Sequence, residues 1–142
     1  MASTASKRIL LAVDALPLRP GIRVLEVGCG PGVAAREIVR RWPTAYVLGI
    51  DRSAKAIQQA LAGSQAEIAR GSVAFRQVAA ESFQLEAGEQ PYDLAFGLRV
   101  GALDGRHRAA GTIAIPRIKA SLRKHGCIFV DGGSPLREIC ET

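Results

Sequence analysis

The chain has 142 residues, of which 48% are hydrophobic and 23% are charged, and its formal net charge is +6. These values are typical of one globular domain, here residues 1–142, and exclude an intrinsically disordered chain. No apolar run approaches the roughly 20 residues that cross a bilayer, and the first residues lack the pattern of a signal peptide. We therefore expect a soluble, cytoplasmic protein that is not associated with a membrane.

The apolar pattern alternates short runs rich in β-branched residues with longer amphipathic runs, which predicts βαβ units around a parallel sheet. The first part of the chain is expected to form a helix over residues 9–16, a strand over 23–27 and a helix over 31–42. A second strand over residues 46–50 comes next. A helix follows from a cap near Ser53 to about Ala69, and Gly63 could divide it.

The most informative segment joins the first predicted strand to the helix after it and reads Glu-Val-Gly-Cys-Gly-Pro-Gly over residues 26–32. Its glycines permit positive φ angles and let the backbone approach a ligand closely. In open α/β sheets, the end of such a strand is where ligands bind. A dinucleotide-binding GxGxxG pattern would need glycine at position 33, where Val33 stands. An ordinary βα turn is the structural alternative, although three glycines in five residues make it a poor one.

A carboxylate ends the second predicted strand. Asp51 at this position could accept hydrogen bonds from both hydroxyls of a ribose. It could instead cap the helix that begins near Ser53. The glycine-rich turn on the neighbouring strand favours the ribose interpretation.

The second part of the chain is expected to form strands over residues 73–78, 92–97 and 126–130. The stretch between the last two strands is ambiguous, because a proline inside a helix breaks it. We place a helix over residues 116–124, with Pro116 in its first turn.

Cysteine and histidine are too few and too scattered to indicate a metal site. Cys29, Cys127 and Cys140 show no paired spacing, and their odd number argues against a closed set of disulfides. His107 and His125 form no zinc-like cluster. We therefore expect no bound metal.

Positive charge is concentrated between residues 99 and 124, where seven basic residues accompany a single acid, Asp104. Two interpretations stay open: a solvated basic face, which is what charge runs usually form, or a patch that attracts an anionic substrate or nucleic acid. Aromatic residues make up only 5% of the chain and do not alternate with the basic ones. A base-stacking surface for nucleic acid is therefore not supported.

The segment at 26–32, with the acid that ends the second strand, resembles motif I and its partner in class I S-adenosylmethionine-dependent methyltransferases. The similarity covers about residues 9–131, because segments 78–82, 92–96 and 122–130 resemble later parts of that fold. It implies an α/β fold with an open, doubly wound, mostly parallel Rossmann-like sheet, of which five strands are visible. It also implies S-adenosylmethionine as cofactor and S-adenosylhomocysteine as product.

The resemblance further implies which residues bind the cofactor. The turn would line the methionine end, with Glu26 near the amino group, and Asp51 would hold the ribose. The adenine would meet the residues after the second and third strands, and the end of the fourth strand would close the floor beside the sulfur. The full set is Glu26, Gly28, Cys29, Gly30, Gly32, Asp51, Arg52, Ala80, Glu81, Phe96 and Gly97.

The chain departs from the family pattern in three places. Ala79 stands where many members have an aspartate for the adenine amino group, and Arg52 stands where an apolar residue is common. Residues 136–142 are too few for the two further strands that the family usually adds. We expect an exposed edge at the fifth strand, which indicates either a homodimer or a chain without its C-terminal part.

We expect methyl transfer to an unidentified acceptor, with a small molecule favoured and an anionic one open. No catalytic residue is assigned, because the methyl donor is already electrophilic and positioning can supply much of the rate. Arg99 either orients an anionic substrate or is simply exposed, and His107 fits a solvated loop residue better than a base. Asp131 is either a helix cap or a substrate contact.

Two other functions stay open. The chain could be a methyltransferase-like interaction or regulatory module that binds the cofactor without turnover. A nucleic-acid methyltransferase ranks lower, because residues 96–99 read Phe-Gly-Leu-Arg and lack the polar-proline-aromatic tetrad of amino-methylating DNA enzymes.

Overall fold

The computed structural model describes residues 5–139, so Cys140 and the first four residues lie outside the described part. The strands are β1 (Arg23–Val27), β2 (Tyr46–Asp51), β3 (Val73–Gln77), β4 (Tyr92–Gly97), β5 (Leu122–Asp131) and β6 (Leu136–Ile139). The helices are α1 (Lys7–Ala15), α2 (Val33–Arg41), α3 (Ala54–Gly63), α4 (Gln65–Ala69), α5 (Gly101–Asp104) and α6 (Arg108–Ala120). A 3₁₀ turn covers Ala80–Ser82.

These strands form one sheet in the order β3-β2-β1-β4-β5-β6. All neighbouring pairs are parallel except β5 and β6, which are antiparallel. The chain moves outward from β1 through β2 to β3 and then returns to the other side of β1 for β4. Such a reversal leaves a crevice at the carboxyl ends of the strands, and the ligand site is expected there.

Helices cover both faces of the sheet, which confirms the predicted doubly wound α/β fold. The adjacent residues Val24 and Leu25 of β1 point to opposite faces, because side chains alternate along a strand. Val24 packs in a core with Ile38 of α2, whereas Leu25 packs in a second core with Ile118 of α6. Each core buries apolar area on its own side of the sheet, which is the main favourable term in folding.

An arginine fixes the amino edge of the sheet. The guanidinium of Arg23 lies between the rings of Tyr46 and Tyr92, 4.8 and 4.7 Å from their centroids. The Arg23 N–H also donates to the Asp93 carboxylate at 2.8 Å. The starts of β1, β2 and β4 are therefore held together at the edge away from the crevice.

The long helix predicted after β2 is divided into two helices near Gly63, where the sequence indicated a possible break. Ser53 caps α3 by accepting from the Ala56 N–H at 3.1 Å. The helix ends at Gly63, and the buried Ser64 separates it from α4. No helix within residues 5–139 has the length and apolar character needed to cross a membrane.

The predicted helix over residues 116–124 was wrong at both ends. Helix α6 begins at Arg108 and contains Pro116, and β5 already begins at Leu122. One helical face, which includes Ala114 and Ile118, is buried against the sheet, and this packing outweighs the hydrogen bond that the proline cannot make. Pro116 itself faces solvent, so its ring does not disturb that buried face.

The prediction that the fifth strand forms an exposed edge was also wrong. Strand β6 pairs antiparallel with β5, with Asp131 opposite Leu136 and Ile128 opposite Ile139. Residues 132–135 form the connection, and a Cβ on Gly133 would overlap the Leu136 carbonyl. A β-hairpin needs only a short second strand. The residues after β5 therefore suffice for one four-residue antiparallel strand, although they are too few for the two further strands that the family usually adds.

Replacing Pro116 with alanine should increase the free energy of unfolding by about 1–3 kcal/mol, because proline in a helix interior costs about 3 kcal/mol relative to alanine. Urea unfolding followed by circular dichroism measures the change. Arg117→Ala, at the next exposed position, serves as the matched control and should change stability little. A loss of stability in Pro116→Ala would contradict a continuous α6.

Candidate functional site

The glycine-rich turn lies at the carboxyl end of β1, in the crevice that the strand order creates. Gly28 and Gly30 have φ angles of 69° and 53°, which side chains rarely adopt. A Cβ on Gly28 would lie 2.7 Å from Val100 Cγ2, so the loop after β4 packs directly on this backbone. A Cβ on Gly30 would meet no atom within 4 Å, so the backbone there faces open space.

Asp51 ties this turn to the end of β2. Its Oδ2 accepts from the Gly30 N–H at 2.9 Å, and its Oδ1 accepts from the Ser53 N–H at 2.9 Å. The side chain of Ser53, and not Asp51, caps the first turn of α3. A carboxylate has about four acceptor positions, so both oxygens of Asp51 can accept further hydrogen bonds.

Glu26 places a buried carboxyl group beneath the turn. Only 4% of Glu26 is exposed, and its Oε1 has no hydrogen-bond partner among residues 5–139. Burial, and secondarily the charge of Asp51, raises the pKa of Glu26 to about 8, although the nearby Arg36 acts in the opposite direction. Buried polar atoms rarely lack a partner, so this oxygen is a candidate ligand contact.

Arg36 fastens the far end of the turn. Its Nη1 donates to the Pro31 carbonyl and to the Ser64 Oγ, each at 2.8 Å. Because Ser64 is buried between α3 and α4, the arginine links the turn to the break between these helices. The turn is thus held by Asp51 at the Gly30 N–H and by Arg36 at the Pro31 carbonyl, while the Cα of Gly30 still faces open space.

A cavity of about 840 Å³ opens beside the turn. This volume lies within the range of about 300–1,000 Å³ that is usual for small-molecule sites. Five of the residues predicted from the sequence line it: Gly28, Asp51, Arg52, Ala80 and Glu81. They come from the ends of β1 and β2 and from the turn after β3, which the parallel strands bring to one edge.

The other predicted residues lie close to the cavity without lining it: Glu26, Cys29, Gly30, Gly32, Phe96 and Gly97. The side chain of Phe96 is fully buried in the core on the α2 side. Cys29 is buried against Gly49, and burial raises the pKa of its thiol. Its N–H donates to the Ile50 carbonyl at 2.9 Å, so Cys29 contributes to the turn through its backbone.

The second wall of the cavity comes from the loop after β4 and the start of α6, and most of its residues were missed. It consists of Leu98, Arg99, Val100, Gly101, Ala102, Arg106, His107, Arg108, Ala109 and Ala110. The sequence had indicated Arg99 and His107 as individual candidates here, and Arg106 and Arg108 as members of the basic patch that could attract an anionic substrate. The position of β4 beside β1 could have indicated this wall, because a segment that follows β4 must begin at the same edge of the sheet.

Asp131 positions this wall. Its Oδ1 accepts from the Arg99 N–H at 3.0 Å, so it is a backbone contact and not the cap of a helix. Arg99 has a φ angle of 57°, which is uncommon for a residue with a side chain. The His107 ring packs over Gly101 and its side chain is largely exposed.

Within residues 5–139, no three side chains of the types that bind metals come together. The second wall is instead basic. Among its arginines, Arg106 forms an ion pair in which its Nε lies 2.9 Å from Asp104 Oδ2. The geometry therefore suits an organic ligand that combines hydrogen-bonding groups with negative charge.

Residues 24–126 match the family described as a methyltransferase domain. The chain belongs to this family. The predicted relationship to class I S-adenosylmethionine-dependent methyltransferases is thereby confirmed, and the matched residues of this methyltransferase domain include the glycine turn, Asp51 and most of the second wall.

Two curated relatives are trans-aconitate 2-methyltransferases. The protein of Methylobacterium nodulans is 34% identical over 139 residues, which cover 94% of this chain and 48% of that protein. The protein of Streptomyces avermitilis is 37% identical over 86 residues, which cover 61% of this chain and 30% of that protein. The methyltransferase domain described here thus spans less than half the length of these relatives.

A solved structure of a methyltransferase from Geobacter sulfurreducens has the same fold. That protein is S-adenosylmethionine-dependent and was crystallised with S-adenosylhomocysteine. Its TM-score to this chain is 0.69 at 22% identity, covering 89% of this chain and 48% of that one. The likeness confirms the predicted Rossmann-like architecture.

The raised pKa of Glu26 predicts how stability varies with pH. The folded chain keeps a proton on Glu26 up to about pH 8, whereas the unfolded chain releases it near 4.5. The free energy of unfolding should therefore fall as pH rises between these values. Urea unfolding across this range measures the fall, and Glu26→Gln, which does not titrate, should show a shallower one. Equal slopes in both proteins would contradict a protonated Glu26.

Proposed function

We propose that this domain binds S-adenosylmethionine at the carboxyl edge of its sheet and transfers the methyl group to a small-molecule acceptor. The observation that carries the proposal is the turn at Gly30, which is open to a ligand, is held by Asp51 and borders an 840 Å³ cavity. Family membership supports the same reaction, although fold and family alone do not determine a substrate.

The residues present fit this cofactor. The unpartnered Glu26 oxygen offers an acceptor for the ammonium group of the methionine part, and the open Gly30 backbone leaves room for that part to approach. Asp51 retains acceptor positions for the two ribose hydroxyls. We assign the turn formed by Gly28, Cys29, Gly30 and Gly32 to the methionine end, Arg52, Ala80 and Glu81 to the adenine, and Phe96 and Gly97 to the packed floor beneath the sulfur.

When bound, S-adenosylmethionine supplies a methyl group that is already activated toward nucleophiles. The protein then has to orient the acceptor and keep water away from the reacting atoms. The second wall is placed for this task, because the loop after β4 packs on Gly28 at the centre of the site. No general base is assigned among the lining residues.

We propose that the acceptor is a small carboxylic acid. The Methylobacterium nodulans relative is named for trans-aconitate, a tricarboxylate, and the second wall of this cavity carries arginines that suit such an anion. Nucleic acid is a weaker candidate, because no Phe, Tyr or Trp side chain on which a base could stack is found among the described residues that line the cavity.

Calorimetric titration with S-adenosylmethionine and S-adenosylhomocysteine tests the cofactor site. Asp51→Ala and Gly30→Val should each weaken both ligands at least about tenfold, because one removes charge-assisted hydrogen bonds and the other fills the open backbone face. Asp14→Asn, an exposed acid on α1, is the matched control and should bind as the wild type does. Unchanged binding in both site variants would place the cofactor elsewhere.

Cofactor binding should also release a proton near neutral pH. With a pKa of about 8, Glu26 is mostly protonated in the free protein, and an ammonium group beside it would favour the carboxylate. The binding enthalpy should then differ between phosphate and Tris, whose ionisation enthalpies differ. Glu26→Gln should abolish that difference, and a wild type without any buffer dependence would argue against contact between Glu26 and the ammonium group.

A second candidate is a module that binds the cofactor without turning over an acceptor. It is favoured by the exposure of the second wall, where Arg99, Arg106 and Arg108 face solvent. Transfer of a labelled methyl group to trans-aconitate would support the enzyme. Cofactor binding without transfer to any small acid would support the module.

A cytoplasmic location and a homodimer remain part of the proposal. Cys29 is a buried free thiol, which suits a reducing compartment. A dimer through the predicted sheet edge would have to form along β6, since β5 is already paired on both sides.

A further inference from the structure

We propose that Arg99 and Arg108 form a carboxylate-binding pair on the second wall, so that the acceptor is an acid with at least two carboxylates. One carboxylate is held by the arginines and another receives the methyl group. This inference rests on the proposed function for the reaction itself. The pair and its ligand can also be tested without the cofactor.

Arg99 is held in place by its backbone and leaves its side chain available. Its N–H donates to Asp131 at 3.0 Å, which fixes the residue just beyond β4. The side chain is exposed, borders the cavity and makes no ion pair with any residue between 5 and 139. A ligand in the cavity can therefore reach a guanidinium whose base is already fixed.

Arg108 is the first residue of α6 and lines the same wall. It is exposed and, in the described part of the chain, no acid pairs with it. Arg106 differs, because its Nε lies 3.0 and 2.9 Å from the two oxygens of Asp104. Asp104 therefore compensates Arg106, and the charges of Arg99 and Arg108 remain for a ligand.

The acids of the cavity lie on the other side of the glycine turn. Asp51 and Glu81 follow β2 and β3, whereas the arginine pair follows β4. Arg52 also lines the cavity, but it stands at the end of β2 with these acids. The cofactor side and the basic wall are thus separated by β1, which gives the acceptor its own electrostatic environment.

Methylation of a carboxylate also needs no general base. A carboxylate oxygen forms the new bond to the methyl carbon while the sulfur–carbon bond breaks and its electron pair stays on sulfur. No proton moves, because a carboxylate is already deprotonated near neutral pH. Arginine stays charged at any such pH and binds carboxylates through paired N–H groups, so it can hold the unreactive carboxylate firmly.

The test is calorimetric titration of the full chain with trans-aconitate, both alone and with saturating S-adenosylhomocysteine. Arg99→Gln and Arg108→Gln should each weaken trans-aconitate at least about tenfold and leave the S-adenosylhomocysteine affinity within about twofold. Arg117→Gln removes the same charge from an exposed site further along α6 and should bind trans-aconitate as the wild type does. The trimethyl ester of trans-aconitate, which carries no charge, should bind to none of the proteins.

Three results would overturn the pair: wild type that binds no trans-aconitate with or without S-adenosylhomocysteine, unchanged affinity in both arginine variants, or an equal loss in Arg117→Gln. Failure of the proposed function looks different. If S-adenosylhomocysteine does not bind but trans-aconitate binds and depends on Arg99 and Arg108, the carboxylate pair is supported and the methyltransferase proposal fails. Circular dichroism of each variant confirms that it is folded.

Discussion

The hydrogen bond between the Gly30 N–H and the Asp51 carboxylate joins the ends of β1 and β2 beside the crevice between β1 and β4, where the strand order reverses. The turn needs such an anchor, because its glycines gain conformational freedom in the unfolded chain and lose it on folding. Asp51 supplies the anchor from the neighbouring strand, and Arg36 supplies a second one through the Pro31 carbonyl. The cavity, its open backbone and the position of Glu26 all depend on this fixed turn.

Glu26 lowers the stability of the domain when no ligand is bound. The carboxyl group beneath the glycine turn is buried and finds no donor for Oε1 among residues 5–139, and this burial raises its pKa. Asp51 adds to the effect, since two acids lie close together on neighbouring strands. A cationic ligand group would pair with the Glu26 oxygen and offset the repulsion between the two acids. Ligand binding would therefore raise the free energy of unfolding, which this site lowers in the free domain.

The fold and half of the site could be predicted from the sequence because they depend on local patterns. The strands over 23–27 and 92–97 alternate cleanly with helices, and the glycine turn has its own spacing signal. Helix α6 could not be placed, because its buried face outweighs the local effect of Pro116, and this packing is visible only in three dimensions. Strand β6 is too short to show a pattern without its partner.

Side-chain direction refines the site predictions. Phe96 lies near the end of β4 at the expected edge, but strand alternation turns its ring into the core on the α2 side, so its proposed contribution to the floor of the site is through its backbone. Most of the second wall was missed because it is built from the loop after β4, the four-residue helix α5 and the first turn of α6, which are too short to show a periodic pattern. Its position follows only from the sheet order and from the contact between Val100 and Gly28.

The hairpin formed by β5 and β6 contacts the segment that carries the second wall, residues 98–110, in two places. Asp131 holds the Arg99 backbone, and Arg137 of β6 donates to the Asp104 carbonyl at 3.1 Å. The outer edge of the sheet is therefore mechanically coupled to the acceptor side of the cavity. A chain segment or protein that docked along β6 and moved either attachment point would also change acceptor affinity, and by linkage the acceptor would then change affinity at that edge.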